Sequence, residues 1–479
     1  MADGSRPESG AGEAEAPKIK AEDNPWYLLA TLYGSGQQEK NRIAWNRYFA
    51  ARLDPQLKAD LIANGRYEEE ELTPFLPEQL AEIKRAFAEQ SAASISNLPC
   101  PKHDWSIHFK NVRFDGRANF EGFIFPDCSF EGAIFDSGGP PVRFTNAVFC
   151  KYTSFEEAVF HRQANFNGAR FCDTTSDKGQ TYFSGAKFFY EAYFDNAAFA
   201  GMVYFNKTMF SNEALFRAAT FYRADFTDAT FLGKTYFNGA TFHCVEFLGR
   251  AKFEKDVSFD DVTFKGEANF TNAIFAGQST FVNAKMKYDT LFKVKDFKTT
   301  PPLFFGTELH EGTVWPGREA WPLPKGKDEA GDFVRAYERL KLEMDRLKKH
   351  EDELDFFALE LQSRRVLLGR WSWGLPVWLY GLFSDYGRSY GRPLIALFYL
   401  ALIGTLFFLP SDALTPSQSL GLSVANTLSV FGFRKDFFYP HIIEGLAAPM
   451  KIFSALQTIL GAILLFLFGL GIRNKFRMK

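Results

Sequence analysis

The sequence predicts a β-solenoid: a four-sided coil of short strands, preceded by short helices and followed by a helical membrane domain. Three observations predict it. From about Phe109 to Phe297, phenylalanine returns every five or six residues. A small residue stands two positions before nearly every ring, and the positions between are mostly Asp, Asn, Glu, Lys, Arg, Gly and Thr. Internal repetition of this kind fixes the fold class before any single element is considered.

The beat runs through Phe144, Phe149, Phe155, Phe160, Phe166 and Phe171, then, after one irregular insertion, Phe183, Phe188, Phe194, Phe199, Phe205, Phe210, Phe216 and Phe221. It continues through Phe259, Phe264, Phe270, Phe275 and Phe281. The small partners include Ala158, Ala164, Ala169, Thr181, Ala186, Ala192, Val203, Thr208 and Ala214. On extended backbone, residues i and i−2 point the same way, so each unit offers one large and one small group to the same side. Four such sides close one rung, with neighbouring rungs paired about 4.8 Å apart. A helix fits poorly. At 100° per residue a step of five rotates the second ring by about 140°, and the segment is dense in poor helix formers.

The units Ala118-Asn119-Phe120-Glu121-Gly122, Ala164-Asn165-Phe166-Asn167-Gly168 and Ala268-Asn269-Phe270-Thr271-Asn272 resemble those of the pentapeptide-repeat family. The resemblance covers residues 109–297 and implies a right-handed quadrilateral β-helix. Alternate units carry a sixth residue, so a rung should hold about 22 residues, with the extra one in a bulge at alternate corners. A coil whose rungs touch only their neighbours needs a cap at each end.

The 479 residues carry a formal net charge of −2, and five cysteines are too few for a disulfide framework in a chain this long. Residues 1–24 have no apolar core and no periodicity, so they are expected to be disordered and not a signal peptide. A reducing, cytosolic setting for the coil follows as the default. Residues 25–100 should form a helical cap, with Ile43, Ala44, Trp45, Tyr48, Phe49 and Leu53 on one face and Leu80, Ile83, Phe87 and Ala88 on another. The coil is assigned to 101–297. Residues 298–326, rich in Pro and Trp, should plug its far end, since proline donates nothing to a ladder.

Residues 327–370 place Phe333, Leu340, Leu347, Leu354, Leu361 and Leu368 seven apart, but Glu351 and Arg365 break the companion seam. Two helices breaking near His350-Glu351-Asp352 fit better than one. Helical segments after the repeats of membrane-anchored members of the resembled family point the same way. Residues 371–479 should form a membrane domain with spans near 393–409 and 452–472, each near the length a bilayer needs. Trp371, Trp373, Trp378, Tyr380 and Tyr386 lead into the first span like an interfacial belt. Arg388 and Arg392 precede it, and Arg473, Lys475, Arg477 and Lys479 follow the second. This distribution places both termini and the coil in the cytoplasm, and the membrane is expected to be the inner membrane of a bacterium.

Chemistry is sparse. The seven histidines (His103, His108, His161, His243, His310, His350 and His441) gather no ligand set, and His243-Cys244 alone falls short of a metal site. Cys150 and Cys172, 22 apart, should face outward one rung from each other; the Cys128 spacing is coincidence because Cys128 precedes its ring. Asp260-Asp261 reads as a solvated corner. No phosphate loop, nucleophile elbow or dinucleotide fingerprint appears. No catalytic, cofactor or metal residues are assigned, and inward rings cannot stack on bases.

Three functions compete. The first is a non-catalytic scaffold: a rigid cytoplasmic β-helix, anchored in lipid by two spans and binding an unidentified protein, with self-association left open. The second is a two-helix ion-channel-like protein, whose loop Ser429-Val430-Phe431-Gly432-Phe433 departs from a potassium-filter run at several positions. The third, DNA mimicry toward topoisomerases as in some soluble members of the resembled family, needs an acidic rod. Residues 109–297 hold 22 Asp and Glu against 21 Lys and Arg, a net of −1, so no nucleic acid or nucleic-acid enzyme is expected.

Overall fold

The computed structural model describes residues 18–93, 98–171, 179–244, 246–369, 374–432 and 444–477, with backbone alone at 93, 246 and 247. It divides into two compact units, Met1–Ala320 and Trp321–Lys479.

In the first unit, two-residue strands pair in parallel with strands one rung away, building four walls. One wall stacks Ile134–Phe135, Val159–Phe160, Lys187–Phe188, Met209–Phe210 and Thr230–Phe231 in sequence order. Every ring of the beat points in. All nineteen phenylalanines singled out above are at most 1% exposed. Along a wall the rings lie flat on one another, as with Phe155 and Phe183 at 4.9 Å and 2°. Rings on opposite walls meet edge to face across the interior, as with Phe166 and Phe183 at 89°. Both are favoured aromatic geometries, and the rung spacing of a parallel sheet sets the first.

Two kinds of corner alternate. A five-residue step closes in a tight turn: the Ala147 N–H donates to the Phe144 carbonyl at 3.0 Å, with Asn146 at φ 55°. That left-handed seat suits Gly168, Gly185 and Gly239 and Asn as at Asn196 and Asn272, though Glu157, Lys207, Ala218 and Arg250 also occupy it. A six-residue step makes a wider corner without a left-handed residue among the described positions. The expected bulge is therefore absent at most corners. A bulge needs one strand to carry an extra residue that its partner lacks, whereas here stacked rungs both carry it. Phe160↔Phe188 is followed in register by Ala164↔Ala192. Mismatched rungs bear this out. Where the six-step Phe199–Phe205 lies on the five-step Phe221–Phe226, the register shifts between Phe199 and Met202. The five-step Phe125–Phe130 against the six-step Phe149–Phe155 likewise goes from Phe125↔Phe149 to Cys128↔Thr153.

Helices α1 (Pro25–Ala30), α2 (Gln38–Phe49), α3 (Pro55–Ala63) and α4 (Pro77–Ala93) precede the coil. Residues 18–24, grouped above with a disordered leader, are part of the fold. Ile19 and Lys20 pair with Val112 and Arg113, and the Asn24 side chain caps α1 by accepting from the Trp26 and Tyr27 N–H groups. The helices also do more than close an end. Trp45 Nε1 donates to the Ile124 carbonyl at 2.9 Å, and Asn46 both accepts from Ile124 N–H and donates to Gly122. Tyr67 Oη reaches the Gly122 and Asn146 carbonyls, and Arg66 reaches Gly168. They cover the side of three successive rungs, because those corner carbonyls form a column of acceptors.

At the other end, pairing runs past residue 297 through bridges Thr280↔Leu303, Lys285↔Glu308 and Leu291↔Val314. Phe304 continues one ring stack and Trp315 ends another, 5.1 Å from Phe292. The Pro/Trp segment thus supplies the last partial rung before it stops the ladder.

The second unit opens with α5 (Lys327–Arg346) and α6 (His350–Leu368). They form an antiparallel hairpin turned at Lys348 (φ 60°), with Lys341–Glu360 at 2.6 Å and Glu338–Arg364 at 3.5 Å. Next come α7 (Gly374–Ser384), α8 (Gly391–Phe408), α9 (Pro416–Thr427) and α10 (Ala448–Arg477). Among the described residues α8 and α10 are the two helices long and apolar enough to cross a membrane. Only 22% and 28% of their most apolar windows are buried, which is unlike the core helix of a water-soluble domain.

Candidate functional site

The coil's chemistry faces outward from residues next to each ring. Asp and Arg side chains one rung apart neutralise one another, as with Arg217–Asp195 at 3.0 Å and Arg250–Asp228 at 2.7 Å. On one wall the outward residues include tyrosines. Tyr182 lies 4.9 Å from Tyr204 at 8°, and Tyr152 lies 5.6 Å from Tyr182. Tyr152 is 47% exposed. On another wall His161 stacks on Phe189 at 4.8 Å, beside exposed Tyr190. The sequence reading missed both ladders, although Tyr182-Phe183 and Tyr204-Phe205 are 22 residues apart, one rung of the beat.

Of the expected outward pair of thiols, Cys150 points out of the coil but is not at the surface. Cys150 is 3% exposed, packed under Leu53, Leu57, Leu61, Tyr67 and Leu72 with Ile124 and Val148. It does leave the coil outward, but the α2–α3 segment covers that wall. Cys172 lies outside the described residues, as do Trp371, Trp373, Phe433 and His441.

One cluster of potential metal ligands gathers among the described residues: Asp345, His350 and Glu353, with ligand atoms within 4.8 Å. Sequence inspection missed it because the α5–α6 turn brings these residues together. His350 Nδ1 is 3.0 Å from Glu353, and Arg477 from the end of α10 lies 3.5 Å from Asp345 and 3.6 Å from Glu353. Arg388, just before α8, pairs with Asp355 and with Glu351. A guanidinium already faces two of the three candidate ligands, so the cluster reads as an ion-pair network tying the hairpin to both apolar helices.

Within the second unit, α9 packs against both α8 and α10. Gln457 Nε2 donates to Ser423 Oγ at 2.7 Å and Thr427 Oγ1 at 3.1 Å, Ser423 Oγ to the Ala401 carbonyl, and Asn426 to Ser454 Oγ at 2.9 Å. All five polar residues on α9 and α10 are at most 2% exposed. Two glycines admit the helix: a Cβ on Gly404 would sit 2.2 Å from Gln457 Nε2, and one on Gly461 2.3 Å from the Thr427 carbonyl oxygen. Ser429–Phe431 then forms a 3₁₀ turn capped by Gly432 at φ 80°, with Val430 67% and Phe431 63% exposed.

A family model described as pentapeptide repeats (9 copies) matches residues 205–247 and again 248–293. No curated protein and no solved structure matches the chain.

Proposed function

We propose that this chain, whose pentapeptide repeats wind into a β-helix, is a non-catalytic scaffold anchored in the inner membrane of a bacterium. In this reading α8 and α10 cross the bilayer, both termini and the β-helix lie in the cytoplasm, and the outer walls dock a protein. The observation that carries it is the Tyr152–Tyr182–Tyr204 ladder on one outer wall, exposed at Tyr152 and half-buried at the other two. Rigid aromatic area with little net field is what protein interfaces favour and nucleic-acid surfaces do not. Arg388, Arg392, Arg473, Lys475 and Arg477 gather at one end of the two apolar helices, which supports the cytoplasmic orientation. A photoreactive residue at position 182 should capture a defined cellular protein that the same probe at Lys252, on another wall, does not. Equal capture at both positions would remove the ladder from the proposal.

One observation favours a second reading, a two-span pore. The short helix α9 packs against both spans and is held by buried side-chain hydrogen bonds, as a pore helix would be. Reconstituted vesicles that stay tight to potassium and sodium would leave the anchor alone; flux abolished by Gly461→Leu would establish the pore.

A further inference from the structure

A cavity of about 750 Å³ opens between α7, α8 and α10. Its volume lies within the range of about 300–1,000 Å³ usual for ligand sites. From α8 it is lined by Arg392, Tyr399 and Ile403, from α10 by Leu460 and Leu467, and from α7 by Leu379. Its walls are almost wholly apolar except where Arg392 enters. Arg392 and Ile403 are eleven residues apart on one helix, so the groove runs roughly 16 Å along α8. That is about half of a hydrocarbon core of roughly 30 Å, the depth of one leaflet. The cation stands at the end where α8 begins, beside Arg388 and the basic end of α10. Arg392 contacts the Gly381 carbonyl at 3.3 Å and Asp385 at 3.8 Å, and its side chain remains 53% exposed. A guanidinium has five N–H donors, so these contacts leave it able to bind an anion.

We infer that this groove is a binding site for an anionic phospholipid, with acyl chain along α8 and phosphate at Arg392. The inference rests on the reading that α8 and α10 span a bilayer. The occupant follows from three features together: leaflet depth, apolar walls, and one exposed cation at the interfacial end. Cytoplasmic leaflets supply such lipids in excess. A second copy of the chain could cover an apolar groove, but would need an acidic group to meet Arg392.

The full-length protein in detergent would be titrated with phosphatidylglycerol and with phosphatidylcholine of the same acyl chains, and retained lipid counted by native mass spectrometry. One phosphatidylglycerol should be held about fivefold more tightly than phosphatidylcholine, the worth of one cation near an anionic headgroup. Arg392→Gln should abolish the preference while retaining the chain, and Ala396→Trp, which fills the groove, should lose both lipids. Equal retention of the two lipids by the unaltered protein would overturn the site. So would a cysteine placed at 396 that crosslinks to a second copy while phosphatidylglycerol is present. An alkaline wash of cell membranes separates the two levels of the argument. Protein released by the wash overturns the spanning reading, whereas protein retained without headgroup preference overturns only the lipid site.

Discussion

A ring inside the coil is stacked between neighbours and meets others edge-on, so its loss empties a stack. Phe216 lies 5.0 Å from both Phe194 and Phe237, and it also meets Phe205, Phe210, Phe221 and Phe226. Phe216→Ala should cost about 3–5 kcal/mol, read by urea denaturation, because flanking rungs pinned by backbone pairing cannot collapse into the void. A loss under about 1 kcal/mol would mean the rungs close up. Polar residues at the helical cover act by position. The Asn46 amide bonds Ile124 N–H, the Gly122 carbonyl and Glu71. Asn46→Ala should therefore destabilise the first rung by about 1–3 kcal/mol through the buried groups it orphans, seen as faster hydrogen exchange at Ile124.

At the scale of the element, α3 lies along the coil and is tied there by Asp60–Arg170 at 2.8 Å. The Arg170 guanidinium holds the Asp60 carboxyl below its usual range. A depressed carboxylate stabilises docking above its unfolded value of about 3.9 and loses that contribution as pH falls through the lower folded value. Hydrogen exchange across α3 should be faster in Asp60→Asn than in the unaltered chain at pH 7. The two should draw together as pH falls below about 3.9 and through the lower folded value, and a difference that does not change with pH would assign the effect to packing. The same cover predicts that a maleimide reacts slowly with Cys150 in the native protein, and faster once Leu57→Asp lifts α3. In the second unit, Gly461→Ala pushes a methyl into the Thr427 carbonyl. It should lower the melting temperature in detergent, while Gly469→Ala, with open space around it, should not.

The whole molecule is two compact units with different solvents in view. One has its own stacked aromatic core, and the other exposes apolar helices that water does not suit. A fragment ending at residue 320 should fold in water with a far-ultraviolet spectrum of β type. It should keep Trp45 buried, as read by its fluorescence. The fragment's aggregation would show that the coil's far end needs more than its Phe304 and Trp315 closure.

The sequence by itself determined the coil, its inward rings and its two apolar helices, because each follows from a local period repeated many times. A side chain's direction on extended backbone depends only on parity, and a helix's fitness to cross a bilayer only on length and composition. The hairpin was also legible, since its heptad seam fails within a few residues of the turn. Tertiary structure alone decided what lies against what. The extra residue makes no bulge at most corners because its neighbour rung shares it, a fact about pairing and not about one strand. Cys150 is covered because helices a hundred residues earlier lie on its wall. The Asp345–His350–Glu353–Arg477 network and the Arg392 groove each join residues distant in the chain, and no single-strand or single-helix period encodes such meetings, whereas the Tyr182–Tyr204 stack follows the rung spacing.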